Sequence, residues 1–150
     1  MALYYLETSA LVKLYVYELG TERLVSLAAS DAGNRFAILS LAQVEFRAAI
    51  RRQQRGGAVS GNEASLLIES FRQHAEARFV VQPFTDSVLD VALALIDAYP
   101  LKGFDAVQLA GYLMLRSISG DDEPVFVCAD KTLLSAARNE GCPVMNPCST

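Results

Sequence analysis

Four carboxylates stand at four separated points of the chain, each just after or just inside a short apolar run: Glu7, Glu45, Asp105 and Asp130. Their surroundings are Leu-Glu-Thr-Ser-Ala-Leu-Val-Lys (6–13), Gln-Val-Glu-Phe-Arg (43–47), Gly-Phe-Asp-Ala-Val-Gln-Leu-Ala (103–110) and Val-Cys-Ala-Asp-Lys-Thr-Leu-Leu (127–134). Acids far apart in sequence but placed alike in the local architecture point to one meeting place. Converging carboxylates repel one another, and a divalent cation among them removes the repulsion. A cation held by oxygens alone, with waters left on it, is equipment for hydrolysing phosphodiesters. Each acid also has a plain reading. Asp130 fits an ordinary helix N-cap, and Asp105 fits an acid favoured by a helix dipole. Glu45 fits a solvated helix residue, although Val44, Phe46, Ala48 and Ala49 around it are apolar. Glu7 is harder to explain away. It lies between an apolar strand and Ala10-Leu11-Val12, with only Lys13 nearby to neutralise it, and a carboxylate so placed needs a partner or a metal.

The basic residues near these acids admit two uses. Lys13 lies about one to two helical turns past Glu7 and either touches phosphate or pairs with an acid. Arg47, Arg51 and Arg55 recur at i, i+4 and i+8, one stripe on a helix, and Arg52 stands seven residues past Glu45, on its face. Such a stripe is a solvated face, a track for an RNA backbone, or a match for an acidic partner segment. The only histidine, His74, sits at core-like helical spacing and reads as structural.

The elements that would position these residues follow from local signals. Leu3–Leu6 reads as a buried strand. Thr8 or Ser9 is the expected cap of a helix carrying Leu11, Val12, Leu14 and Tyr15 and stopping near Gly20. Thr21 opens a second helix, and Gly33-Asn34 marks a turn. Phe36–Leu39 is the second strand. A capping-box pattern over Ser40–Gln43 opens a helix from Leu41 to about Arg55, ended by Gly56-Gly57. Ser60–Glu63 is another such box, followed by Leu67, Phe71 and His74 at helical spacing. Arg78–Gln82 is the third strand. Val88, Val91, Ala92, Leu95 and Ile96 describe an amphipathic helix, broken by Pro100 and Gly103. A helix from about Phe104 to Arg116 precedes a polar turn at Asp121–Pro124. Val125–Cys128 is the fourth strand, Asp130 caps a helix reaching Asn139, and Pro143–Met145 forms a fifth. Strands alternating with helices predict a single α/β domain over residues 1–150. Its parallel sheet is covered on both faces, in three α/β/α layers. In such sheets ligands bind beyond the carboxyl ends of the strands, and all four acids fall there.

Composition is consistent with this and excludes other classes. The 52% hydrophobic content supports a packed core, and a chain of this length buries roughly 68–70% of its unfolded surface. Net charge is -4, and without the four named acids the remaining 13 would balance the 13 Lys and Arg. This is therefore not a generally basic nucleic-acid binder. The cysteines at 128, 142 and 148 are odd in number and contain no C-x-x-C, so neither a disulfide framework nor a zinc site is indicated. Cys128 reads as a small core residue. Free thiols, the lack of a basic n-region before the short apolar run Ala2–Leu6, and the absence of a long apolar stretch lead to the expectation of a soluble cytoplasmic protein.

Taken in order, the four words resemble the PIN-domain nucleases and, more narrowly, the VapC-type toxins of toxin–antitoxin pairs. The similarity runs from Leu3 to Pro147. It implies a five-stranded parallel sheet and an acidic pocket binding magnesium or manganese. The implied activity is that of an endoribonuclease acting on structured RNA such as tRNA or rRNA. It further implies a small VapB-type antitoxin that wraps the toxin and obstructs the pocket, and a homodimer. Glu45, Asp105 and Asp130 match three of the family's four acids, and Thr8 and Ser9 match hydroxyls lining the pocket beside the first. Glu7 stands where the family nearly always has Asp. The extra methylene moves its oxygens by up to about 1.5 Å, against a tolerance of roughly 0.2 Å for magnesium ligands. Glu7 must then fold back, shift the metal, or bind through a water. Gln108 stands where relatives often have His, and Cys128 where they often have Thr. In the expected chemistry Glu7, Asp105 and Asp130 hold the metal, while Glu45 holds a second ion or orients the attacking water.

Three rivals remain in view. A catalytically weak or inactive PIN module binding RNA or a protein partner draws its support from Glu7. A phospho-receiver domain needs an acceptor Asp where Ser40 stands and a separate Lys, whereas Lys131 is fused to Asp130. A phosphatase of the D-x-D type needs an acid where Ser9 stands.

Overall fold

In the computed structural model, which describes residues 2–149, the apolar run Leu3–Leu6 is β1, the central strand of a five-stranded sheet. Its partners are β2 (Arg35–Leu39), β3 (Val80–Gln82), β4 (Val125–Val127) and β5 (Val144–Met145), in the order β3-β2-β1-β4-β5. Every pairing is parallel, with Tyr5 opposite Ala37 on one side and Phe126 on the other. The helices are α1 (Thr8–Lys13), α2 (Thr21–Ala28), α3 (Ala42–Arg55), α4 (Gly61–Ala77), α5 (Asp86–Ala98), α6 (Gly103–Ile118) and α7 (Lys131–Asn139). The period of two along each strand splits the core. Leu6, Ile38 and Val127 face one layer with Leu11, Leu24, Phe46, Ile50 and Phe71. Tyr5, Leu39 and Phe126 face the other with Val88, Leu95, Leu109, Tyr112 and Leu133. This is the three-layer α/β/α architecture with a parallel sheet that the sequence predicts. Among the described residues no helix is long and apolar enough to cross a membrane.

Local expectations met mixed outcomes, for physical reasons. The Ser60/Glu63 capping box forms, and Asp130 caps α7 by accepting from the Leu133 N–H at 2.8 Å. The box expected over Ser40–Gln43 does not form. Ser40 Oγ instead accepts from the Phe84 N–H at 2.9 Å, and α3 starts at Ala42 without a side-chain cap. The first helix ends at Lys13, not near Gly20. The Glu18 N–H is bound by Thr21 Oγ1 and its carboxylate by Lys13, local bonds that compete with the helix ladder. Neither Thr8 nor Ser9 caps that helix; Glu7 does. The third to fifth strands are each shorter than expected, beginning at Val80, ending at Val127 and beginning at Val144 respectively.

The sheet and α6 approach closely at Gly111. A Cβ there would lie 2.7 Å from the Tyr5 hydroxyl and 2.8 Å from Leu39 Cδ1. Gly111→Ala is expected to destabilise the fold despite Ala's better helix propensity, because overpacking costs about 1–3 kcal/mol against about 1 regained. Thermal unfolding checks this, and a lower melting temperature is the expected result.

Candidate functional site

Glu7 is the first residue past β1, and its N–H still donates to the Val127 carbonyl at 3.0 Å. Its side chain turns back to cap α1. Oε2 accepts the Ser9 N–H at 3.0 Å and a short hydrogen bond from the Ser9 hydroxyl. Ser9 Oγ in turn accepts from the Ala129 N–H at 3.2 Å, tying the end of β1 to the turn before α7. Glu7 is only 5% exposed. Burial pushes its carboxyl above the ordinary range, the Ser9 bonds pull it down, and the charges of Asp105 and Glu45 push it up again.

Glu45 projects from the first turn of α3 and is half-buried. Its Oε1 accepts from Gln108 Nε2 at 2.7 Å and from Thr8 Oγ1 at 3.1 Å. Burial raises its carboxyl, these two bonds lower it, and Asp105 raises it. Asp105 lies in the first turn of α6. Burial raises it most, Asp130 adds to that, and Lys102 partly offsets both. Asp130 is exposed, and its N–H donates to Cys128 Sγ at 3.2 Å. Burial and the Glu7 charge keep the Cys128 thiol protonated.

The electrostatic couplings thus run Asp130 to Asp105, Asp105 to Glu7, and both Asp105 and Glu7 to Glu45. The ion pairs among the described residues are Lys13–Glu18, Arg72–Glu69 and Arg72–Glu76, so none of the four acids is neutralised by a paired cation. Among the described residues, no three His, Cys, Asp or Glu side chains close on a common point as a ready-made ion cage. The donor set is nonetheless all oxygen and anionic, the chemistry magnesium and manganese take.

The remaining expected site residues divide. Thr8 and Ser9 sit among the acids, each bonded to one of them. Lys13 is buried and pairs with Glu18 at 3.0 Å, the acid-pairing role. Arg52 lines a groove of about 570 Å³ between α3 and α4 with Arg47, Arg51, Arg55 and Arg72, and none of the four acids lines that groove. His74 is structural: Nδ1 lies 2.7 Å from the Tyr15 hydroxyl, and the ring packs near Phe79. Gln108 and Tyr5 are the residues sequence reasoning missed as site residues. The available signal was a lone amide three residues past Asp105, on the same helical face and between apolar neighbours.

No family model matches the sequence and no curated protein matches it. Solved structures do. A toxin–antitoxin complex from Klebsiella pneumoniae superposes with TM-score 0.65 at 15% identity, over 98% of this chain and 98% of that one. VapBC2 from Rickettsia felis, bound to a DNA fragment from its promoter, gives TM-score 0.64 at 13% identity, covering 96% and 98%. A protein from Pyrobaculum aerophilum gives 0.61 at 24% identity, covering 95% and 83%. At these identities the likeness establishes the fold: the chain has the PIN-type fold read from its sequence.

Proposed function

We propose that this chain is a metal-dependent endoribonuclease, the toxin of a toxin–antitoxin pair, hydrolysing RNA phosphodiester bonds at the acidic rim. One observation carries the reading: Asp130, Asp105, Glu7 and Glu45 form a linked run of acids without paired cations at the carboxyl edge of a parallel sheet, three of them raised by burial and by one another. Asp105, Asp130 and Glu7 are the residues to hold Mg²⁺ or Mn²⁺. Magnesium is usually bound by one or two carboxylates and keeps several waters, so a preformed three-acid cage is not required. When bound, the ion supplies Lewis acidity toward a phosphate oxygen and a lowered pKa for water. Glu45, steadied at Oε1, holds a second ion or orients the attacking water and accepts its proton; a carboxyl raised above its usual range is the better base for the latter task. Attack opposite the ribose 3′ oxygen leaves a 5′ phosphate and a 3′ hydroxyl.

The same reading assigns a cytoplasmic setting, a VapB-type antitoxin as partner, in line with the toxin–antitoxin complexes sharing the fold, and a homodimer. Leu89, Leu93 and Ile96, exposed at i, i+4 and i+7 on α5, offer an apolar face for a second copy.

A binding-only module is the second reading, supported by the Ser9 bonds that occupy Glu7 Oε2. Cleavage of total RNA in manganese separates the two. The control is Asp130→Asn, since Asn still caps α7 while Ala would cost about 1 kcal/mol of helix stability. Metal-dependent cutting lost in the variant is expected. No cutting by the unaltered protein at millimolar manganese would move the assignment to a binding module.

A further inference from the structure

We propose that Gln108, assisted by Thr8, is a positioning residue that fixes Glu45 by one oxygen and leaves the other for the reaction. This deepens the nuclease reading and rests on it. Gln108 is fully buried in α6, where an amide must have its donors and acceptor met. Its Oε1 accepts from the Tyr5 hydroxyl at 3.0 Å. Its Nε2 donates to Thr8 Oγ1 at 3.0 Å and to Glu45 Oε1 at 2.7 Å. The orientation of the amide follows from the carboxylate, because a flipped amide would set oxygen against oxygen at that 2.7 Å contact. With Thr8 Oγ1 accepting from Gln108, its own hydrogen is directed to the same Glu45 Oε1, at 3.1 Å. Two donors therefore converge on one oxygen, and Oε2 takes part in none of these bonds.

The clamp is rooted in the middle of the sheet. Tyr5 belongs to β1, its ring stacks on Phe126 at 5.8 Å and meets Tyr112 edge-on at 5.7 Å, and its hydroxyl also reaches the Gln108 carbonyl at 2.8 Å. A carboxylate held by a side chain that is itself packed cannot swing as a free Glu does. Partners that orient a ligand in this way typically change metal affinity 10- to 100-fold when removed.

The test uses Gln108→Met, which keeps the volume and removes both donors. Tyr5 retains the backbone carbonyl of residue 108, so the fold is expected to persist. Manganese affinity is measured by calorimetry on the RNA-free protein, and kcat and KM on RNA. We expect manganese binding weakened about 10-fold or more, kcat reduced, and KM little changed. The decisive arm is a Glu45→Gln background: a residue acting through Glu45 adds no further loss there, whereas a merely structural one adds its full effect. Should Gln108→Met fail to fold, Thr8→Val removes the second donor and carries the same cycle. Unchanged affinity and kcat in a folded variant, or losses that simply add, overturn the inference. If the unaltered protein neither binds manganese nor cuts RNA, the nuclease reading falls and takes the inference with it.

Discussion

Asp105→Asn is expected to lower RNA cleavage by about 10²–10³-fold and, in the same molecule, to raise the melting temperature of the metal-free protein. The opposite signs share one cause. Burial and the neighbouring Asp130 push the Asp105 carboxyl up, with Lys102 relieving only part of that, so the charge is a cost to the fold. Asn keeps the shape and removes the charge. Loss of one aligned charge at a transition state is worth about 3–4 kcal/mol, or 10²–10³ in rate. The gain in stability is smaller, because Asp105 is partly solvated. Discounted for that, about 0.5–1 kcal/mol is expected, a shift of about 2–4 °C at most for a chain of this size. Single-turnover cleavage and thermal unfolding in a chelator read the two effects separately. An inactive variant that is also less stable would make Asp105 a structural acid, and a fully active one would remove it from the site.

The sheet and the placement of the acids were legible because they depend on short-range signals. Apolar runs such as Leu3–Leu6, and caps such as Ser60 with Glu63 or Asp130 with Leu133, are settled within a few residues. Once strands alternate with helices, topology alone sends Glu7, Glu45, Asp105 and Asp130 to one edge. What stayed hidden depends on residues far apart in the chain. Ser40 looks like a cap until Phe84, 44 residues on, claims its hydroxyl. Gln108 looks like a family variation until Tyr5 and Glu45, 103 and 63 residues away, are seen on either side of its amide. Arg52 shows the limit of helical arithmetic. Seven residues return to the same face, but about 10.5 Å further along the axis, and Glu45 does not line the groove that Arg52 lines. The Glu7 side chain, for which the sequence leaves three ways of meeting a metal, folds over the start of α1 and takes the cap role expected of Thr8 or Ser9.

That folded-back Glu7 leads to the second large effect: metal-free protein should lose stability as pH rises from about 4 toward neutrality, and Glu7→Gln should remove much of that slope. In the folded state Glu7, Glu45 and Asp105 are all raised, in each case by burial first. Between the ordinary carboxylate range, about 4, and their raised values, the folded protein holds more protons than the unfolded chain. Stability then falls with rising pH. Their contribution is fully present below the unfolded values and disappears as pH climbs through the folded ones. Glu69 acts in the opposite sense, since Arg72 holds it low, so the informative quantity is the difference between the unaltered protein and Glu7→Gln across the range. Gln retains an oxygen to accept from the Ser9 N–H, so the α1 cap survives the substitution. A divalent ion binds these acids in their ionised form, which rising pH favours. Manganese at 100 times its dissociation constant would therefore add about 2.7 kcal/mol of stability. At pH 4, where the raised carboxyls of Glu7, Glu45 and Asp105 hold protons, it should add far less. Melting curves with chelator and with manganese, at both pH values and for both proteins, check the whole set. A metal-free slope identical in the two proteins would mean that Glu7 carries no electrostatic strain. Manganese stabilisation that ignored pH would mean the ion binds elsewhere.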